Sequence, residues 1–190
     1  MKKLTAVLLC AVLLLCFSGC DSLALPFGPS ADYRETVRQA VALMDDMEST
    51  LFKDCDLALS VWYNTIHQKK DKTTDRYIVK NGRRTNDFNV ALDRLYHDKK
   101  FASELKHLDE LQQSLRTLRH SLANPPKQYA LFNETLTALA GDHITLTCVL
   151  MDLDGSYNDL SEQIGALEKD INDNTREFLS FEKELSEIRS

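Results

Sequence analysis

The chain predicts an all-α domain, an antiparallel up-down-up-down bundle of four helices, on three observations. Beyond position 30, apolar residues recur at helical spacing in three long stripes. Only 6 Gly and 4 Pro occur in 190 residues, too few for a turn-dense β-sandwich or a Gly/Pro-rich disordered chain. Where such residues do fall between stripes they mark joints, at Asn124-Pro125-Pro126 and at Asp154-Gly155-Ser156. The length suits one domain with a short appendage.

The first stripe, Val37, Val41, Met44, Leu51, Cys55, Leu59, Trp62 and Ile66, predicts a helix over 31–69 with one buried face. Ser30 suits its N-cap, and Asp32 and Glu35 suit the positive end of its dipole. The pattern fades from Gln68 to Asp75, and Asn81-Gly82 is a turn signal, so a polar connection is expected at about 70–85. The second stripe, Phe88, Leu92, Leu95, Phe101, Leu105, Leu108, Leu111, Leu115, Leu118 and Leu122, predicts a helix over 87–123. It stops at Asn124 because a residue before proline is pushed out of helical geometry, and Pro126 can open the next helix.

The third stripe runs from Phe132 to Ile188 with alternating steps of four and three, interrupted in polarity only by His143 and Asn174. Such heptads mark helix-on-helix packing of the coiled-coil kind. Unbroken, this helix would be about 95 Å long against about 55 Å for each of the first two. Gly155 suits a helix C-terminal turn, and Ser156 with Asp159 has capping-box spacing. The break gives helices over 126–154 and 156–189, and short connections make neighbours antiparallel. The rival arrangement has three long helices, the last unbroken, kinked and dimerising through its heptads.

The first 19 residues have a different composition. They hold fourteen hydrophobic residues, with Lys2 and Lys3 ahead of an uncharged run from Leu4 to Phe17. This is the layout of a secretory signal peptide; the sixteen residues from Leu4 to Gly19 fall short of the roughly 20 needed to cross a bilayer. Phe17-Ser18-Gly19-Cys20 then resembles the lipobox of bacterial lipoproteins, with Phe17 in place of the usual Leu. The resemblance covers residues 1–20. It implies cleavage before Cys20, a diacylglycerol on the Cys20 sulfur, and attachment to the cell membrane on the extracytoplasmic side. Two acyl chains hold a protein at a bilayer where one gives only marginal binding. The expected organisation is a signal over 1–19, a lipidated tether over 20–30 carrying Pro26, Gly28 and Pro29, and a helical domain over 31–190.

Of five cysteines, Cys10 and Cys16 leave with the signal and Cys20 takes the lipid, so Cys55 and Cys148 remain. In an exported protein they are a candidate disulfide pair. Both lie at similar heights in the proposed bundle, although Cys148 sits off the heptad seam between Leu146 and Leu150. Buried free thiols are the alternative.

Catalytic and metal-binding motifs are not in evidence in the sequence. Glu104-Leu105-Lys106-His107 has the Glu-x-x-His spacing of di-metal bundles, but no second copy exists, and Leu105 and Leu108 own the buried stripe. His143, beside Asp142, reads as a core histidine hydrogen-bonded to backbone or to Asp142. Asn174 reads as a register-setting polar seam residue. Asp45-Asp46-Met47-Glu48 lies mid-helix and lacks the glycine turn of a calcium loop. No nucleophile elbow or phosphate-cradling glycine loop occurs. No cofactor, metal or enzyme activity is expected.

Charge is asymmetric. Beyond residue 20 there are 29 acids and 21 bases, a net of −8 that argues against nucleic acid as a partner. Yet residues 69–84 hold seven bases, Lys69, Lys70, Lys72, Arg76, Lys80, Arg83 and Arg84, against Asp71 and Asp75. Residues 152–190 hold eleven acids against four bases. The basic loop is the candidate docking site for an acidic partner, such as an envelope polymer or the acidic face of another protein. The function expected is that of a membrane-anchored envelope lipoprotein whose bundle is a non-enzymatic interaction or spacer module. The alternative is a ligand-binding lipoprotein with an interhelical pocket near Trp62, Tyr63 or His143, serving a transporter or sensor.

Overall fold

In the computed structural model residues 31–187 are described; the signal, Cys20, the tether and residues 188–190 lie outside the described residues. The described chain is all-α apart from one two-stranded hairpin. Its first helix, α1 (Ala31–Ile66), buries Val37, Val41, Met44, Met47, Leu51, Cys55, Ala58, Val61 and Trp62. It ends at Ile66, short of residue 69, because Gln68 takes a left-handed conformation (φ 52°) and the Lys69 N–H closes onto the Asn64 carbonyl at 3.1 Å. This is the reversal that commonly satisfies the last carbonyls of a helix. Ile66, past the end of the packed stripe, is 46% exposed.

The expected polar connection at 70–85 is in fact folded. Asp71 caps α2 (Lys72–Ile78), its carboxylate accepting from the Thr73 and Thr74 N–H groups at 2.9 and 3.1 Å. Tyr77 and Ile78 are buried. Strands β1 (Val79–Lys80) and β2 (Arg83–Arg84) follow, paired Val79↔Arg84 and Lys80↔Arg83. Asn81 and Gly82 make the turn with φ of 53° and 73°, the two positive values that a tight hairpin requires.

The second stripe forms two helices where one was expected. Asp87 caps α3 (Phe88–Tyr96) and Asp98 caps α4 (Lys99–Ser121). The step from Leu95 to Phe101 spans six residues, off helical spacing, and the Asp98 carboxylate accepting from the Lys100 and Phe101 N–H groups restarts the helix there. After Pro125 and Pro126 a 3₁₀ turn (Lys127–Tyr129) precedes α5 (Ala130–Met151), which therefore begins four residues later than expected. The third stripe breaks at the anticipated place. α5 stops at Met151, Gly155 adopts φ 119°, and α6 (Tyr157–Glu187) starts with Ser156 and Asp159 bonded to each other, the Asp159 N–H to Ser156 Oγ at 3.2 Å. The rival of one unbroken dimerising helix is thereby corrected: α5 and α6 pack most extensively on each other, so the heptad seam is used inside the chain.

α1 is central and touches every other helix, while α4 packs on α1 and α5. Cross-helix pairs fix the relative placement. Lys53 meets Glu104 at 2.6 Å and Asp46 meets His107 at 3.3 Å between α1 and α4. Asn174 of α6 donates to Asp142 of α5 at 2.8 Å, and Tyr33 of α1 donates to Asn133 of α5 at 3.0 Å. The interior holds Met44, Leu51, Leu95, Phe101, Leu108, Leu115, Leu136, Leu146, Ile171 and Phe178, all fully buried. Each such side chain contributes about 1.5–3 kcal/mol by leaving water. Among the described residues, no helix is long and apolar enough to cross a membrane.

Candidate functional site

The basic segment sits where α1 ends and α3 begins, and its fold sorts the seven predicted bases into two groups. Arg84 is structural: it pairs with Asp75 at 2.5 Å and donates to the Lys69 carbonyl, and its guanidinium holds the Asp75 carboxyl below the usual carboxylate range. Lys69 lies over the Tyr63 ring, 4.6 Å from its centroid. Arg76 stacks on Tyr77 and approaches Asp98 at 3.8 Å. Lys72, Lys80 and Arg83 are exposed and pair with no described residue, and Lys70, also exposed, acts on Asp75 through its charge without an ion-pair contact. Lys80 and Arg83 are direct cross-strand partners, a like-charge juxtaposition that disfavours the hairpin.

The tip is held to the helices by bonds from side chains to backbone and, in one case, to another side chain. Arg94 of α3 donates to the Tyr77 carbonyl at 2.9 Å, at the end of α2. Gln68 donates to the Thr65 and Thr85 carbonyls, and Asn64 to Thr74 Oγ1 at 3.0 Å. The basic side chains are thus presented from an ordered platform.

Two grooves flank that platform. One, of about 610 Å³, runs between α1, α2 and the start of α4, with Lys53, Lys72, Arg76 and Lys100 on its walls and Ser60 and Thr73 among its hydroxyls. The other, of about 320 Å³, is lined by Arg76, Tyr77, Lys80, Arg94 and Asp98. Lys53, Lys100 and Arg94 were not singled out in the sequence. They lie outside the dense 69–84 run and reach the grooves only through the packing of α1, α3 and α4. Burial works against the charge of Lys53, but hydrogen bonds to Glu104 and Asp54 carry its pKa upward. Asp54 is fully buried beside it, and burial pushes its carboxyl up.

The other anticipated residues are dispersed. Cys55 and Cys148 are free thiols, so the candidate disulfide is corrected: Cys55 is buried, whereas Cys148, off the seam, is exposed beside Arg116, whose Nη2 is 3.1 Å from its Sγ. Glu104 bonds to Lys53, and His107 faces Asp46 across the α1–α4 contact. Among the described residues no cluster of three or more His, Cys, Asp and Glu could hold a metal ion. His143 is wholly buried, with Nδ1 bonded to the Leu139 carbonyl at 2.9 Å and Nε2 without a partner; burial pushes its pKa down to about 4. Trp62 stacks on Phe88 at 4.6 Å and meets Tyr157 edge-on at 6.1 Å, and Tyr63 meets Tyr157 at 5.6 Å. Neither tip groove is lined by Trp62, Tyr63 or His143; nor is a third groove, of about 670 Å³ along α1 and α4 between Leu43 and Leu118. Compared with family models, curated proteins and solved structures, the chain has no match.

Proposed function

We propose that this chain is an envelope lipoprotein, anchored through Cys20, whose helices form an up-down-up-down bundle that carries a basic docking tip away from the membrane. The observation that carries the anchoring is the run from Lys2 through the apolar core to Ser18-Gly19-Cys20. The bundle reading draws on the order of the cross-helix pairs. Asp46 with His107 and Lys53 with Glu104 run oppositely along α1 and α4, as do Phe132 with Phe178 and Asp142 with Asn174 along α5 and α6. α1 begins about ten residues after Cys20, so the end of the bundle holding Tyr33 and Tyr129 lies by the membrane and α2 with its hairpin lies far from it. The interaction or spacer module is favoured over the ligand-binding alternative because Trp62 and His143, near which an interhelical pocket was expected, are buried, Tyr63 packs half-buried against Tyr157, and none of the three lines the grooves described above.

The test is labelling of cells with a radioactive fatty acid, followed by fractionation, for the full chain and its Cys20→Ser variant. Label on the wild type, none on the variant, and release of the variant from the membrane fraction are expected. A variant that stays labelled or stays membrane-bound would overturn the anchoring.

A further inference from the structure

We propose that the two tip grooves form one track for a phosphate-bearing, hydroxyl-rich polymer, a polyol or sugar phosphate chain; this rests on the docking-tip reading above and names its partner. Arg76 lines both grooves and so joins them. Lys72, Arg76 and Lys80 follow one another at intervals of four residues along α2 and into β1. Within α2 one helical turn sets the Cβ atoms of Lys72 and Arg76 about 5–6 Å apart, the scale of a single phosphodiester repeat, and Lys80 continues the row from β1, past the helix end at Ile78. Arg94 adds a further cation whose only bonded partners among the described residues are the Tyr77 and Ile78 carbonyls, which carry no charge to neutralise it.

The walls are net positive: Lys53, Lys72, Arg76, Lys80, Arg94 and Lys100 face Asp56, Asp71 and Asp98. Part of that charge is already met, since Arg76 approaches Asp98 at 3.8 Å and Lys53 and Lys100 approach Glu104 at 2.6 and 3.8 Å, which leaves Lys72, Lys80 and Arg94 to carry the field. Beside the cations stand the exposed hydroxyls of Ser60 and Thr73. That mixture suits a chain that alternates anionic and hydroxyl groups. An extended acidic peptide is a poorer fit. Its amides need backbone partners, and the larger groove is walled by helices whose backbone groups are bonded internally. An anion seated against Lys80 would also relieve its repulsion with Arg83.

The experiment measures binding of the full chain in detergent to poly(glycerol phosphate), poly-glutamate and neutral dextran, by titration at low and moderate salt. Two double variants are compared, Lys72→Ala/Lys80→Ala on the track and Lys70→Ala/Arg83→Ala off it; all four residues are exposed and make no ion-pair contact among the described residues, and both variants remove two charges. Poly(glycerol phosphate) is expected to bind in preference to the other two, roughly tenfold more weakly to the track variant, with a shallower salt dependence. The off-track variant is expected to stay within about twofold of wild type. Equal losses in both variants would overturn the track while leaving a basic docking tip in place. Preference for poly-glutamate would overturn the polymer in favour of an acidic protein partner. Binding of none of the three probes would overturn the inference together with the docking reading beneath it.

Discussion

Replacing His143 by leucine tests whether the polar seam position of α5 is a buried neutral imidazole. Its pKa falls from an ordinary 6.5 to about 4 because burial penalises the charged form, the Leu139 carbonyl opposing only in part. For a base whose folded pKa is lowered, the stability is intact above its ordinary pKa. It is lost as pH falls toward the folded one, since the unfolded chain takes up the proton first. At about 1.4 kcal/mol per unit, the loss between pH 7 and pH 4 comes to roughly 3 kcal/mol. Several carboxyls act in the opposite sense. Asp54, Glu168, Asp45, Glu48 and Asp142 are all raised by burial, so their contribution is intact at low pH and lost as pH rises through their raised values. The wild-type profile alone therefore mixes the two, and the informative quantity is a difference of differences. Urea unfolding of wild type and His143→Leu at pH 7 and pH 4 should show the variant gaining roughly 3 kcal/mol relative to wild type on acidification. At pH 7 the variant should be at least as stable as wild type, because leucine removes a buried Nε2 that has no partner. Equal pH responses in the two proteins would refute the buried neutral imidazole.

Three further outcomes are expected. In the folded protein an alkylating reagent should modify Cys148 and spare Cys55, which is buried and whose thiol is pushed up by that burial; peptide mass mapping showing a Cys55–Cys148 bond or equal labelling would contradict the placement. Arg84→Ala should release the Asp75 pairing and the Lys69 carbonyl, raising hydrogen exchange across residues 69–85 while the core of α5 stays protected; unchanged exchange at the tip would show that Arg84 does not hold it. Gly155→Ala should destabilise the protein by about 1 kcal/mol or more in a urea titration, because φ 119° is a conformation that side-chain-bearing residues rarely adopt; no loss would mean that the α5–α6 turn does not depend on glycine.

Periodicity made the long helices readable, since burial of one face leaves its imprint on every turn. The seam from Leu136 to Phe178 is buried or half-buried at each expected position, and Ser156 with Asp159 form the cap their spacing implied. The polar seam residues were readable as positions, and the backbone bond of His143, to the Leu139 carbonyl, is one of the two partners expected for it; the partner of Asn174 was not readable. Asp142 receives the Asn174 amide and not His143, because which neighbour is reached depends on the rotation of α5 against α6. Least readable was the tip. α2 and the hairpin are too short to carry a period, and they are held by Arg94 reaching the Tyr77 carbonyl 17 residues away and Gln68 reaching Thr85 17 residues away. The restart of the helix at Asp98 had two local signs, an aspartate able to cap and a six-residue step in the stripe. The orientation of Cys148 was signalled by its place off the seam.

The proposed orientation holds the bundle at the membrane by one end, with the basic tip at the other. It is tested most directly by photo-crosslinking in intact membranes. A photoreactive residue is placed in turn at Leu131, which is 59% exposed near the start of α5, and at the exposed Lys80 of the hairpin. Phospholipid adducts are expected from position 131 and none from position 80. Lipid adducts from position 80, or from neither position, would contradict it.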